Sequence, residues 1–94
     1  MKATEKPIED RVVAYAEKLG FYAIKFKDPG RRGAPDRLFL GPGGRALFLE
    51  FKAPGKKPRR NQALYMSQLN RLGFIAAYCD SWASAKEFLD FYAV

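Results

Sequence analysis

Four residues, Gly41-Pro42-Gly43-Gly44, separate two short apolar runs and dictate how the chain must turn there. Proline has no N–H for a strand ladder, and glycine takes positive φ without steric cost. The quartet therefore predicts a reversal between two antiparallel strands, at residues 36–40 and 45–52. Side chains alternate between the faces of a strand. In the second strand Leu47, Leu49 and Phe51 point one way, while Phe48, Glu50 and Lys52 point the other. The reversal brings Asp36, at the start of the first strand, beside the end of the second and close to Glu50.

The remaining elements follow from periodicity and punctuation. Thr4 can cap a first helix that tolerates Pro7 in its first turn. Ile8, Val12, Val13, Tyr15, Ala16 and Leu19 recur at helical spacing, and Gly20 ends the run. Residues 21–27 read as a strand with Tyr22, Ile24 and Phe26 on one face and Phe21, Ala23, Lys25 and Lys27 on the other. Asp28-Pro29-Gly30 is a turn. After Pro54-Gly55, residues 61–72 read as a helix with Leu64, Tyr65, Gln68, Leu69 and Leu72 along one side, stopped by Gly73. Residues 74–79 form a short apolar strand, and Ser81 can cap a last helix over 82–91. A strand–helix–strand unit of this length implies a right-handed crossover and parallel pairing. The expected fold is α/β, in the order α-β-β-β-α-β-α, with a mixed sheet flanked by helices in one domain over 1–94.

Charge is concentrated. Between Lys25 and Arg60 there are eleven basic and three acidic residues, a net of +8; the rest of the chain has six basic and seven acidic residues. The excess positive charge behind the formal +7 thus lies in the segment that holds Asp36 and Glu50. These cations are not gathered on one amphipathic helix, which favours nucleic acid over a membrane surface as the anionic partner. No apolar run approaches the ~18 residues of a membrane span, and no apolar signal region opens the chain. Cys79 is the only cysteine, so an internal disulfide and a cysteine zinc site are excluded, consistent with a reducing cytoplasm. The chain has no histidine, which excludes His-dependent nucleases, His-ligated zinc and Ser-His or Cys-His triads.

Two carboxylates at one strand end, with a backbone carbonyl, make the oxygen-rich kind of site that Mg²⁺ prefers. Such an ion polarises a phosphoryl oxygen and lowers the pKa of a bound water. Lys52 shares a face with Glu50 and can stabilise developing negative charge, or help deprotonate water if its own pKa is lowered. Singly, each residue has a plainer explanation. Asp36 beside Pro35 suits a turn, and Glu50 with Lys52 suits a salt bridge on a strand end. Their order within one basic segment favours a site.

The order Asp36, then Glu50-x-Lys52, resembles the Pro-Asp…Glu-x-Lys pattern of PD-(D/E)xK nucleases. More narrowly, the chain resembles the stand-alone virus-type replication-repair nuclease (VRR-NUC) domain. The likeness rests on residues 30–38 (Gly-Arg-Arg-Gly-Ala-Pro-Asp-Arg-Leu), Gly43-Gly44-Arg45, residues 48–56 (Phe-Leu-Glu-Phe-Lys-Ala-Pro-Gly-Lys) and Gln62. It covers almost the whole chain and implies a restriction-endonuclease-like core. It also implies metal ligation by Asp36, Glu50 and the carbonyl of Phe51, catalysis by Lys52, and Gln62 reaching back to the site from its helix. A first-helix glutamate usually approaches the metal in this family; Glu9 is the choice, with Glu5 one turn earlier on nearly the same face. Arg31 and Arg32, and the loop of Lys56, Lys57, Arg59 and Arg60, are the expected contacts to a DNA backbone.

The implied activity is a Mg²⁺- or Mn²⁺-dependent DNA endonuclease. One site cuts one strand, so branched or four-way (Holliday-junction) DNA calls for a homodimer; the resemblance points the same way and to a bacterial or phage-infected cell. A non-catalytic DNA-binding module on the same scaffold, or a subunit whose basic surface binds an acidic protein, are the alternatives. The aromatic residues Phe74, Tyr78, Trp82, Phe88, Phe91 and Tyr92 read as packing or a subunit interface, not as base-stacking platforms.

Overall fold

The computed structural model describes residues 5–93. Its elements are α1 (Lys6–Lys18), β1 (Tyr22–Lys25), β2 (Arg37–Gly41), a 3-10 turn (Pro42–Gly44), β3 (Arg45–Phe51), α2 (Arg60–Arg71), β4 (Ile75–Cys79) and α3 (Trp82–Tyr92). This is the expected α-β-β-β-α-β-α order. Pro7 sits in the first turn of α1, and the Thr4 cap lies outside the described residues. Ser81 caps α3, its Oγ accepting from the Ser84 N–H at 3.1 Å.

The strands form one sheet in the order β1-β2-β3-β4. β2 and β3 are antiparallel, with Gly41 opposite Arg45 and Arg37 opposite Leu49. Their reversal uses Gly43 and Gly44 at φ 74° and 79°, a conformation that side chains other than glycine's rarely adopt. β1 is antiparallel to β2 and forms one edge. β4 runs parallel to β3, with Glu50 opposite Tyr78 and Phe51 opposite Cys79, and α2 supplies the connection that parallel neighbours need.

β3 is covered on both faces: Leu47, Phe48, Leu49, Glu50 and Phe51 are all buried. Leu47, Leu49 and Phe51 pack with Phe39, with Val12 and Ala16 of α1, and with Ala85 and Leu89 of α3. On the opposite face Phe48 meets Phe26 and Phe74 edge-on, at ring-centroid distances of 5.2 and 5.8 Å. Phe26 in turn reaches Tyr65 of α2 at 6.4 Å. Two helices therefore cover one face and a single helix covers the other.

That asymmetry explains where the observed packing departs from the sequence reading. β1 is shorter than expected; Phe21, just before it, and Ala23 face the core, whereas Tyr22 is 70% exposed. The expected apolar side of α2 is offset: Tyr65 and Met66 are buried, while Leu64 and Leu72 are exposed. One helix does not span a four-stranded sheet, so residues on its flanks remain in water. Phe74, Tyr78 and Phe91 are likewise exposed, while Trp82, Phe88 and Tyr92 pack against the core.

Candidate active site

The site forms where β2 begins and β3 ends. Asp36 directly precedes β2, and one of its oxygens, Oδ2, accepts the Phe51 N–H at 2.8 Å. This bond fixes the carboxylate against the end of β3, as the hairpin geometry requires. Glu50 is only 3% exposed, although it is a carboxylate. Its Oε2 accepts from Gln62 Nε2 at 3.0 Å and lies 3.2 Å from Lys52 Nζ. Its Oε1 has no hydrogen-bond partner among the described residues. A buried carboxylate oxygen without a partner is costly.

Gln62 has two roles at once. Its Oε1 accepts the Arg59 N–H at 2.8 Å, satisfying a donor at the start of α2, while its amide nitrogen holds Glu50. The loop that carries Asp36 is pressed onto the same helix end. A Cβ on Gly33, whose φ is +89°, would lie 2.5 Å from the Asn61 carbonyl oxygen, so only glycine fits this approach.

The electrostatics follow from crowding two acids into a dry corner. Burial pushes the Asp36 carboxyl above its usual value; the Phe51 N–H opposes this, and Glu9 and Glu5 add to it. Burial, then the neighbouring Asp36, pushes Glu50 up to about 7, against the pull of Lys52. Within this corner Lys52 supplies positive charge, and the two carboxylates together exceed it. Among the described residues no three His, Cys, Asp or Glu side chains gather as a complete ligand cluster. The donors at hand are two carboxylates and main-chain oxygen. That chemistry, with one buried oxygen left over, fits a hard divalent cation that takes its other ligands from water or phosphate.

A cavity of about 490 Å³ opens on this corner, lined by Asp36, Glu50, Phe51, Lys52 and Gln62 and walled by Glu5, Ala53, Lys56, Lys57 and Arg59. No protein-family model matches the sequence. The chain is, however, 44% identical over 77 residues to "Putative nuclease p44" of Acyrthosiphon pisum secondary endosymbiont phage 1, covering 82% of this chain and 83% of that protein. It also superimposes on a solved VRR_NUC domain with a TM-score of 0.89 and 25% identity, over 97% of this chain and 99% of the other. The chain belongs to the VRR-NUC nuclease family.

Within this VRR-NUC nuclease the expected residues are not all gathered at one point. Asp36, Glu50, Phe51, Lys52 and Gln62 come together as the sequence reading expected. Glu9 does not line the cavity. It is 5% exposed, and its Oε2 accepts from Arg37 Nε at 2.7 Å. Glu5, one turn earlier and just before α1, is the carboxylate on the cavity wall. Lys56, Lys57 and Arg59 stand on that wall, and Arg60 opens α2 as an exposed residue. Arg31 and Arg32 are exposed but stand off the wall. The Arg31 guanidinium donates to Gln68 Oε1 and lies 5.4 Å over the Tyr65 ring, so it ties its loop to α2.

Two supports escaped the sequence reading. The Tyr65 hydroxyl donates to Asp28 Oδ2 at 2.8 Å, pinning the loop before Asp36. The Gly55 N–H donates to Asp80 Oδ2 at 3.0 Å, anchoring the basic loop to the end of β4. Asp28 carried only a turn signal in sequence and Asp80 none, and their partners lie 37 and 25 residues away. No local pattern connects such pairs.

Proposed function

We propose that this nuclease hydrolyses DNA phosphodiester bonds with Mg²⁺ or Mn²⁺ held by Asp36, Glu50 and the Phe51 carbonyl. The observation that carries the reading is Glu50: a buried carboxylate beside Asp36 with one oxygen lacking a partner. When bound, the ion would polarise the phosphoryl group and lower the pKa of a water. The protein's own groups do the positioning. The Phe51 N–H fixes Asp36, and Gln62 fixes Glu50. Lys52, held 3.2 Å from Glu50, supplies positive charge where negative charge develops on the phosphoryl oxygens. Of Glu5 and Glu9, Glu5 lines the cavity and would be the carboxylate that approaches a bound ion. Glu9 acts indirectly, through Arg37, on the strand that directly follows Asp36.

Lys56, Lys57 and Arg59 on the cavity wall, with Arg60, hold the DNA backbone. Arg32 extends that contact, and Arg31 orders the loop they share. Arg31 contributes charge rather than a free guanidinium fork. The substrate is branched DNA such as a four-way junction, cut by a homodimer that presents two sites to two strands. The chain works as one domain in the cytoplasm of a bacterial or phage-infected cell.

The test is cleavage of labelled linear, flapped and four-way DNA with Mg²⁺, Mn²⁺ or EDTA. Asp36→Ala, Glu50→Ala and Lys52→Ala should each lower the cleavage rate by about a hundred- to a thousand-fold or more while DNA binding survives. A variant that cut as well as wild type would remove that residue from the mechanism. Light scattering that gave a monomer on and off DNA would remove the dimer.

A further inference from the structure

A second groove lies against the active-site cavity, with Lys57 in the wall of both. Its volume is about 600 Å³, within the range of ligand-binding clefts. Its surface is mainly apolar, from Pro58, Met66, Ala76 and Tyr78. Tyr78 is 41% exposed, and it stands in register with Glu50 on the adjacent strand. Partners in a parallel ladder project to the same face, about 4.8 Å apart between strands. An exposed aromatic ring thus sits one strand away from the proposed metal ligand.

The groove runs along the free edge of β4, where an added strand would be the ordinary occupant. Asn70 closes that option at its centre. Its amide nitrogen donates to the Ala76 carbonyl at 3.0 Å, and its Oδ1 accepts the Ala76 N–H at 2.9 Å. With both main-chain groups of Ala76 taken, ladder pairing is blocked at that position, where the groove offers ring, thioether and methyl surface. Its one charged wall is the lysine shared with the phosphate-hydrolysing cavity. A flat apolar-faced group attached to a phosphate chain fits this combination.

We propose that the groove receives an unstacked base of the DNA strand being cut, docked against Tyr78 and Met66 with its phosphate turned past Lys57 into the active site. This deepens the nuclease reading and rests on it. Tyr78 is a specificity-determining residue: the enzyme favours DNA in which a nucleotide beside the cut is already unpaired, as at a branch point. Extruding a base from intact duplex costs stacking that a branch has already lost.

Four-way junctions carrying 2-aminopurine at each nucleotide bordering the branch test this in EDTA, without cleavage. Saturating wild type should quench at least one position by stacking, Tyr78→Phe should quench it alike, and Tyr78→Ala should leave it bright. In Mg²⁺, Tyr78→Ala should lower the ratio of kcat/KM on the junction to kcat/KM on paired duplex by about ten-fold, the value of one lost stack. Equal fluorescence with wild type and Tyr78→Ala, or an equal loss on both substrates, would overturn the proposal. So would sedimentation showing that Tyr78→Ala splits a dimer while the fluorescence stays as in wild type, since a second copy would then fill the groove. Wild type that quenched the probe but cut nothing would count against hydrolysis and leave the groove standing.

Discussion

Both faces of β3 are covered, but the two covers serve opposite ends. Towards α1 and α3, the side chains of Leu47, Leu49 and Phe51 are at most 1% exposed and belong to one apolar cluster. Towards α2, the strand places Phe48 in an aromatic cluster and then Glu50, 3% exposed, among polar groups that leave one of its oxygens without a partner. Neighbouring residues of one strand thus meet opposite environments. The first face stabilises the fold; the second keeps two acids close together at a cost in stability. Functional sites commonly break the rules that the rest of a sequence obeys.

The largest expected effect on stability breaks the first face. Leu49→Ala removes a side chain with no exposed surface and should destabilise by about 2–5 kcal/mol through lost burial and the cavity left behind. In a domain of this size that lowers Tm by about 4–8 °C per kcal/mol. Calorimetry and urea titration measure it. Cleavage per folded molecule should stay near wild type, because Leu49 faces away from the cavity. A loss of cleavage at full folding would mean that the two faces are not separable.

Glu50→Gln sharpens the contrast, because it should go the other way. The Glu50 carboxyl is held up to about 7, against an ordinary value of 4.5, chiefly by burial and by Asp36. The folded protein therefore binds this proton more tightly than the unfolded chain does. Stability from this group is complete below about pH 4.5 and is lost as pH rises through about 7, on the order of 3 kcal/mol in all. Glutamine carries no charge to desolvate. Without divalent ions, Glu50→Gln should melt with wild type near about pH 4.5 and above it at about pH 8. Added Mg²⁺ should raise the Tm of wild type and leave Glu50→Gln unmoved. A variant less stable than wild type at the higher pH would show that Lys52 and Gln62 already compensate the buried charge.

Much of this contrast is legible in the chain because it is local. The Gly-Pro-Gly-Gly reversal and the period of two place Asp36 beside Glu50, and both hold in three dimensions. What the sequence could not settle depends on distant partners. Glu5 and Glu9 are one helical turn apart on nearly the same face. The difference is that Arg37, far along the chain, pairs with Glu9, while Glu5 lines the cavity wall. Arg31 reads as a phosphate contact until Tyr65 and Gln68 are seen beneath it. The apolar side of α2 was misjudged because periodicity locates a stripe but not how wide a surface will cover it; Leu64 and Leu72 lie on its uncovered flanks.

The smallest expected effect concerns how the site face is held together. Tyr65 is buried on the α2 side, where its ring packs against Phe26 and its hydroxyl donates to Asp28 in the loop that leads to Asp36. Tyr65→Phe keeps the ring and removes only that bond. The loss should be about 1 kcal/mol, the usual net value of one hydrogen bond. Asp28 also accepts the Gly30 N–H at 3.0 Å, so the loop keeps part of its order. If the bond only stabilises, Tm falls slightly and the cleavage rate is unchanged. If it positions Asp36, the rate falls several-fold more than stability explains, and amide exchange quickens at residues 30–36. A double variant of Tyr65→Phe with Asp28→Asn decides between them. When the bond is the route of coupling, the second change adds little to the first, as expected for residues that act through one contact.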